Sequence, residues 1–123
     1  MSDNKELKKN RAELDAFFDF NTNMWEVWKE NGVTTETELR VMFNFYASKK
    51  HRKELLVNEL VEANIPYKIK KVKTLFFLNG WKIEAYITKK WTLERLQSKT
   101  AYMFLLSKQT DVLYEGCGAF MPK

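Results

Sequence analysis

Cysteine, proline and glycine are scarce in this sequence, with one, two and four residues respectively among 123. The single cysteine, Cys117, excludes an internal disulfide and a cysteine-based metal site, which is typical of a reducing compartment. No run approaches the roughly 18 apolar residues of a membrane-spanning helix, and the first ten residues lack the apolar core of a signal peptide. We therefore expect a cytoplasmic protein without a membrane segment.

Groups that usually carry catalysis are also nearly absent. The only histidine, His51, lies among basic residues at the start of a predicted helix, which favours a solvated position over a catalytic base or a metal ligand. Cys117 has no histidine near it in sequence, so a buried, inert thiol is expected. The chain has no glycine-rich phosphate loop, no HExxH motif and no nucleophile elbow. The sequence predicts a protein that is not an enzyme and that needs no cofactor or metal.

Apolar and aromatic residues are plentiful, at 45% and 15%, and predict one folded domain over residues 1–123. The strongest pattern is Thr37–Tyr46, where apolar side chains alternate with others as in a half-buried strand. Because its second face is also rather apolar, we expect a central strand. The first face is Leu39, Val41, Phe43 and Phe45, and the second is Arg40, Met42, Asn44 and Tyr46.

The other periodicities predict an α+β fold. After a first helix the order reads β-α-β-β-α-β, the ferredoxin-like arrangement, with a four-stranded antiparallel sheet in the order 4-1-3-2 and the second and third helices on one face. We expect an N-terminal helix at about residues 5–31 and a ferredoxin-like core at about 37–121. The further predicted segments are helices Lys5–Asn31, Lys49–Asn64 and Leu93–Gln109, and strands Tyr67–Val72, Leu75–Leu78, Trp81–Thr88 and Val112–Phe120.

Several local signals refine these segments. Asn79-Gly80 between two apolar runs predicts a hairpin turn. Ser48 and Thr92 are expected to cap the second and third helices. Asn21-Thr22-Asn23 allows a kink or break in the first helix, because these side chains compete for backbone hydrogen bonds. The predicted buried stripe of the second helix is Leu55, Leu56, Leu60 and Val61.

Charge is unevenly distributed along the chain. The net charge of +5 comes entirely from residues 49–73, where eight basic side chains face three glutamates. Such a basic patch favours an acidic partner or a phosphate backbone, although a solvated face is the plainer interpretation. Its members are Lys49, Lys50, Arg52, Lys53, Lys68, Lys70, Lys71 and Lys73.

The open face of the predicted sheet raises RNA as a partner. Met42, Tyr46 and Tyr86 would lie there beside Arg40 and Lys82, as in modules that stack RNA bases on a sheet. Against this, the RNA-recognition signature is absent, Glu84 would repel phosphate, and the first helix could cover the same face.

The last predicted strand carries Tyr114-Glu115-Gly116-Cys117-Gly118, and its two glycines predict a bulge or a close backbone approach. This stretch, together with the order of segments over roughly residues 10–120, resembles the regulator of ribonuclease E activity B family. That family closes on Tyr-Asp-Gly-Trp-Gly, so Glu115 and Cys117 differ from its motif. The resemblance makes Tyr114, Glu115, Gly116 and Gly118 candidate binding residues.

The resemblance implies a non-enzymatic protein that binds an endoribonuclease and inhibits RNA processing. The best-known members are acidic, so a chain of +5 would engage its partner through a different surface. We therefore predict a regulator that acts by protein–protein binding, with a ribonuclease as the candidate partner. A nucleic-acid-binding module that uses the basic patch is the alternative, and a dimerising protein that uses its aromatic first helix is a third interpretation.

Overall fold

A computed structural model describes residues 2–73 and 79–120 of the chain. Its four strands form one antiparallel sheet in the order β2-β3-β1-β4. This confirms the predicted α+β class, the predicted strand order and the added N-terminal helix. The elements are α1 (Ser2–Glu30), β1 (Glu38–Ala47), α2 (Lys50–Glu62), β2 (Tyr67–Lys73), β3 (Asn79–Lys90), α3 (Leu93–Thr110) and β4 (Leu113–Ala119).

The strand β1 is the centre of the sheet, as its alternation predicts. It pairs with β3 over its whole length, from Glu38 to Ala47, and with β4 on its other side. Val41, Phe43 and Phe45 are fully buried beneath the helices, whereas the alternate residues are only half-buried or exposed. The period of two in the sequence therefore identifies the core face of this strand correctly.

All three helices lie on the same side of the sheet. Leu56 and Leu60 of α2 and Leu96 and Met103 of α3 share the core with the apolar face of β1. The helix α1 packs beside α3 and adds Trp25 and Trp28 to that core. The sequence allowed α1 to cover the open face of the sheet. The helix instead lies on the other side, where its aromatic residues are buried.

The helix α1 also runs without a break through the Asn21-Thr22-Asn23 stretch. Asn21 is buried and donates hydrogen bonds to Gln97 (2.9 Å) and Thr100 (2.8 Å) of α3. Its side chain is therefore satisfied by another element instead of competing with the helix backbone. The expected kink is absent for this reason.

The predicted ends of the helices are partly correct. Thr92 caps α3 by accepting a hydrogen bond from the Arg95 amide at 3.1 Å. Ser48 does not cap α2, whose N-cap residue is Lys49 without a side-chain hydrogen bond. The buried stripe of α2 is also narrower than predicted, since Leu55 and Val61 are about half exposed while their neighbours Leu56 and Leu60 are buried. The helix α2 therefore contacts the core through a single row of side chains, Leu56 and Leu60.

The prediction of a hairpin turn at Asn79-Gly80 is wrong. Both residues belong to β3, where they pair with Lys73 and Val72, and Gly80 has no left-handed backbone conformation. Gly80 instead makes room for a neighbour, because a Cβ atom there would lie 2.7 Å from ring atoms of Tyr46. The predicted strand Leu75–Leu78 lies outside the described residues.

Candidate binding surfaces

The tyrosine of the β4 motif, Tyr114, is a packing residue. Its ring lies 4.8 Å from that of Phe17 on α1 and 5.4 Å from that of Phe45 on β1, and 4% of the residue is exposed. Burial, and after it the neighbouring Cys117 thiol, raises the pKa of Tyr114 well above its ordinary value. A side chain in this position joins α1 to the sheet and is out of reach of a partner.

The glycines of the motif play unequal parts. The register of β4 against β1 shifts between Gly116 and Tyr114, which leaves Glu115 as the extra residue of a bulge. Gly116 has a φ of +101°, and a Cβ atom there would meet the ring of Phe17 at 3.7 Å. The register shift confirms the expected bulge. Gly118 has no such φ and faces open space, and Glu115 is exposed.

A buried polar cluster lies beneath the bulge. The thiol of Cys117 donates to the side-chain carbonyl oxygen of Asn21 at 3.4 Å, and Asn21 in turn bonds to Thr100. Burial raises the pKa of the Cys117 thiol to about 11. The thiol is therefore protonated at neutral pH, and its burial agrees with the inert cysteine that the sequence predicts.

The α2 part of the basic patch is engaged in contacts of its own. Arg52 forms an ion pair with Asp111 at 3.0 Å, and the ammonium of Lys53 lies 5.3 Å from the centre of the Trp81 ring. His51, on the same turn, is exposed. The other α2 members, Lys49 and Lys50, are exposed.

The β2 part of the basic patch is divided between two faces. Lys71 pairs with Trp81 and points to the helical side, and Lys73 follows it by alternation. Lys68 and Lys70 point to the open face of the sheet. The eight cations of the patch thus do not form one continuous surface.

The open face carries a row of linked polar and aromatic side chains. The Arg40 guanidinium lies 3.9 Å from the centre of the Tyr86 ring, and the Tyr86 hydroxyl donates to Glu84 at 2.9 Å. Lys70 lies 3.7 Å from the other carboxylate oxygen of Glu84. Burial, and next the hydrogen bond to Glu84, raises the pKa of Tyr86, while Arg40 acts in the opposite direction. These positions on the open face are the predicted ones.

A second basic region lies at the far end of β3, and charge counting along the sequence does not reveal it. Arg40, Lys89, Arg95 and Lys99 come from three different elements and meet around this end of the sheet. Burial, followed by repulsion from Lys99 and Arg95, lowers the pKa of Lys89. The strand register pairs Lys89 with Leu39 and Thr88 with Arg40, so Lys89 points to the helical side and Arg40 to the open face at this end of the sheet. The packing of α3 brings Arg95 and Lys99 near Lys89, and only the tertiary structure could have indicated this cluster.

Within residues 2–73 and 79–120, no three histidine, cysteine, aspartate or glutamate side chains are arranged to hold a metal ion. Over the same residues, no helix combines the length and the apolar character needed to cross a bilayer.

Comparison with protein families gives one match. The model of the family described as regulator of ribonuclease activity B matches residues 18–119. The matched region begins within α1 and ends at the last residue of β4, so it contains the whole sheet and the helices α2 and α3, which lie between strands in sequence. No curated protein matches the chain.

Proposed function

Because this chain belongs to the regulator of ribonuclease activity B family, we propose that it binds an endoribonuclease of the ribonuclease E type and inhibits it without catalysing a reaction. The family match, which covers the complete sheet, is the observation that carries this proposal. The site of action is the cytoplasm, where the target processes RNA.

The open face of the sheet is the proposed contact surface. Arg40 is exposed there, and Met42 and Tyr46 are half-buried, and no helix within residues 2–73 and 79–120 covers them. Such residue types are enriched at protein–protein interfaces. The row from Arg40 to Glu84 presents both signs of charge, which suits a protein surface with matched polar groups better than a uniform phosphate backbone.

A cleavage assay tests the proposal. The purified endoribonuclease of the same organism is mixed with a fluorogenic RNA, and this chain is added in increasing amounts. We expect a saturable fall in the cleavage rate, together with a complex of the two proteins that forms in the absence of RNA and is detected by sedimentation. Cleavage of the RNA by this chain alone would exclude a purely regulatory role.

A charge reversal on the open face sharpens the assay. Lys82→Glu lies in the proposed contact surface, and Lys9→Glu makes the same charge change on an exposed position of α1. We expect the first variant to weaken inhibition and the second to leave it unchanged. Equal effects of both variants would point to overall charge instead of a specific surface.

RNA binding is the second candidate function, because Lys68, Lys70 and Lys82 lie together on the open face. It predicts that inhibition arises from coating of the substrate. Excess unlabelled RNA would then relieve the inhibition, and the two proteins would not sediment together. Glu84 in the middle of these lysines argues against this candidate.

A further inference from the structure

The strand β3 is longer than its neighbour β2. The two strands pair from Tyr67 with Ala85 to Lys73 with Asn79, and the last contact is a hydrogen bond from the Tyr86 amide to the Pro66 carbonyl at 2.8 Å. Beyond it, β3 continues to Lys90 while pairing with β1 on its other side. In the described part of the chain, no strand pairs with this outer stretch of β3 on the side where β2 lies.

The outer stretch presents backbone groups to solvent. Because backbone groups alternate in direction along a strand, the amide and carbonyl of Thr88 point to the same side as the Tyr86 amide. Thr88 would pair with residue 64 if β2 were longer. Asn64 instead takes a left-handed conformation (φ 57°) after α2, and Pro66 has no N–H to donate. The chain itself thus ends β2 and leaves Thr88 as an open edge.

A cleft of about 680 Å³ lies along this edge. On the open-face side its wall is formed by Arg40 and Tyr86, and on the helical side by Ile87 and Tyr102 of α3. A strand added to the edge would direct alternate side chains to these two walls. The cleft therefore offers both the backbone groups and the side-chain contacts that strand addition uses.

The charge of the cleft selects its occupant. Lys99 lines it, and Lys89 and Arg95 lie in the adjoining depression that shares Lys99. Within residues 2–73 and 79–120, these three cations and Arg40 form no ion pairs. Over the same residues, Glu94 is the only acidic residue that lines the cleft or the depression. Four cations around one edge attract an acidic segment.

We infer that the outer edge of β3 beyond Tyr86 binds an extended acidic segment of a protein partner, which adds to the sheet as a fifth strand. The inference deepens the proposed function and rests on it for the partner being a protein. It adds the form of the bound segment, its charge and its place on the molecule.

An extended peptide fits this edge better than a nucleic acid. Thr88 presents an N–H donor and a C=O acceptor side by side, and a peptide strand satisfies both. A phosphate group only accepts hydrogen bonds, so it would leave the carbonyl unpaired and close to a negative charge. RNA is therefore the competing outcome of the test.

Selection from a displayed library of random peptides about eight residues long, a common strand length, tests the class of ligand. The full chain is the bait. We expect the selected peptides to be acidic, to lack proline and to alternate acidic with apolar residues. Enrichment of basic or proline-containing peptides, no enrichment, or displacement of the selected peptides by an RNA oligonucleotide bound at the same cleft would overturn the inference.

A matched pair of variants tests the edge. Thr88→Pro removes the outward N–H without removing a bond to β1, and Thr88→Val removes the hydroxyl and keeps the backbone donor. We expect the affinity for a selected peptide to fall about tenfold or more in the first variant, the equivalent of at least one lost hydrogen bond, and to stay near that of the wild type in the second. Equal affinities of the two variants would contradict strand addition.

Hydrogen exchange on the unchanged protein gives the same answer if Thr88→Pro does not fold. The Thr88 amide should exchange more slowly when the selected peptide is bound. In a separate measurement, Arg40→Gln should lower the affinity for the selected peptide, and this loss should become smaller as salt is added. An unprotected Thr88 amide at saturating peptide would overturn the inference.

The two proposals fail in different ways. If acidic peptides bind the edge but the wild type does not inhibit the ribonuclease, the inference stands and another protein is the partner. If the wild type and Thr88→Pro inhibit equally and no acidic peptide is selected, the ribonuclease binds elsewhere and the inference is wrong.

Discussion

At the scale of single residues, Gly116 allows the bulge of β4 beside Phe17 of α1. Its φ of +101° is a conformation that glycine adopts without strain and that a β-branched residue strongly resists. We expect Gly116→Val to lower the free energy of unfolding by about 1–3 kcal/mol, the usual cost of a residue in an unfavourable backbone region. Urea denaturation measures the change.

Gly118→Val is the matched control for this prediction. Gly118 lies two residues further along the same strand and has no left-handed φ, and within residues 2–73 and 79–120 no atom lies within 4 Å of an added Cβ. Its replacement should change stability by no more than about 0.5 kcal/mol. Equal costs at the two glycines would show that the conformation of Gly116 carries no strain.

Cys117 provides a pH-dependent test of burial. Its folded-state pKa of about 11 lies above the ordinary value of 9.0, so the unfolded chain releases this proton first as the pH rises. The free energy of unfolding should therefore fall between about pH 9 and pH 11. Cys117→Ala should show a shallower fall than the wild type in urea denaturation over this range. Parallel profiles of the two proteins would mean that the thiol titrates normally in the fold.

At the scale of elements, β1 holds the sheet to the helices. The Phe43 ring is fully buried and lies 6.2 Å from that of Trp91. We expect Phe43→Ala to cost about 3–5 kcal/mol of unfolding free energy, as for other buried aromatic residues. Met42→Ala, on the half-buried face of the same strand, should cost less. A loss below roughly 1 kcal/mol for Phe43→Ala would place this side chain outside the core.

Tyr46 of β1 packs against Gly80 of β3 next to the end of their paired stretch. The ring and hydroxyl of Tyr46 lie over Gly80, so an added methyl group would have to displace them. We expect Gly80→Ala to destabilise the protein by about 1–3 kcal/mol, the range for overpacking. The same change should cost much less when Tyr46 is already alanine, and a double-mutant cycle measures this coupling. Additive costs would show that the two residues are independent.

At the scale of the whole molecule, the net charge of +5 is spread over surfaces that face different directions. Since the basic patch does not form one path for a phosphate backbone, we expect RNA affinity in the micromolar range or weaker near physiological salt, as for non-specific binding. Changing Lys68, Lys70, Lys71 and Lys73 to glutamine should weaken this binding for every RNA sequence alike and flatten its dependence on salt. Fluorescence anisotropy over a salt series measures both effects.

A sequence-selective RNA complex of sub-micromolar affinity at physiological salt would contradict this prediction. It would also favour the nucleic-acid alternative over protein binding. Replacing Lys5, Lys8 and Lys9 by glutamine is the control, because these lysines are exposed residues near the start of α1 and lie outside the basic patch.

Much of the fold is determined by the sequence because its signals are local. The alternation of Thr37–Tyr46 and the Thr92 cap both depend on neighbouring residues and on elementary backbone preferences. The strand order follows from such elements once their sequence order is known. Family membership is equally a property of the sequence, and the match over residues 18–119 confirms the resemblance carried by the segment order and the β4 motif.

Tertiary structure alone decided which polar groups are satisfied and which surfaces form. Asn21 stays in an unbroken helix because Thr100, distant in sequence, accepts its hydrogen bond. Gly80 pairs with Val72 as a strand residue, and Tyr46 occupies the space that a side chain there would need. The basic patch, compact in sequence, is divided by the alternation of β2, whereas the cations around Thr88 are dispersed in sequence and are brought to one end of the sheet by strand pairing and by the packing of α3. A local pattern specifies the conformation of a segment, but contacts between segments set the environment of each side chain, and those contacts exist only after the chain has folded.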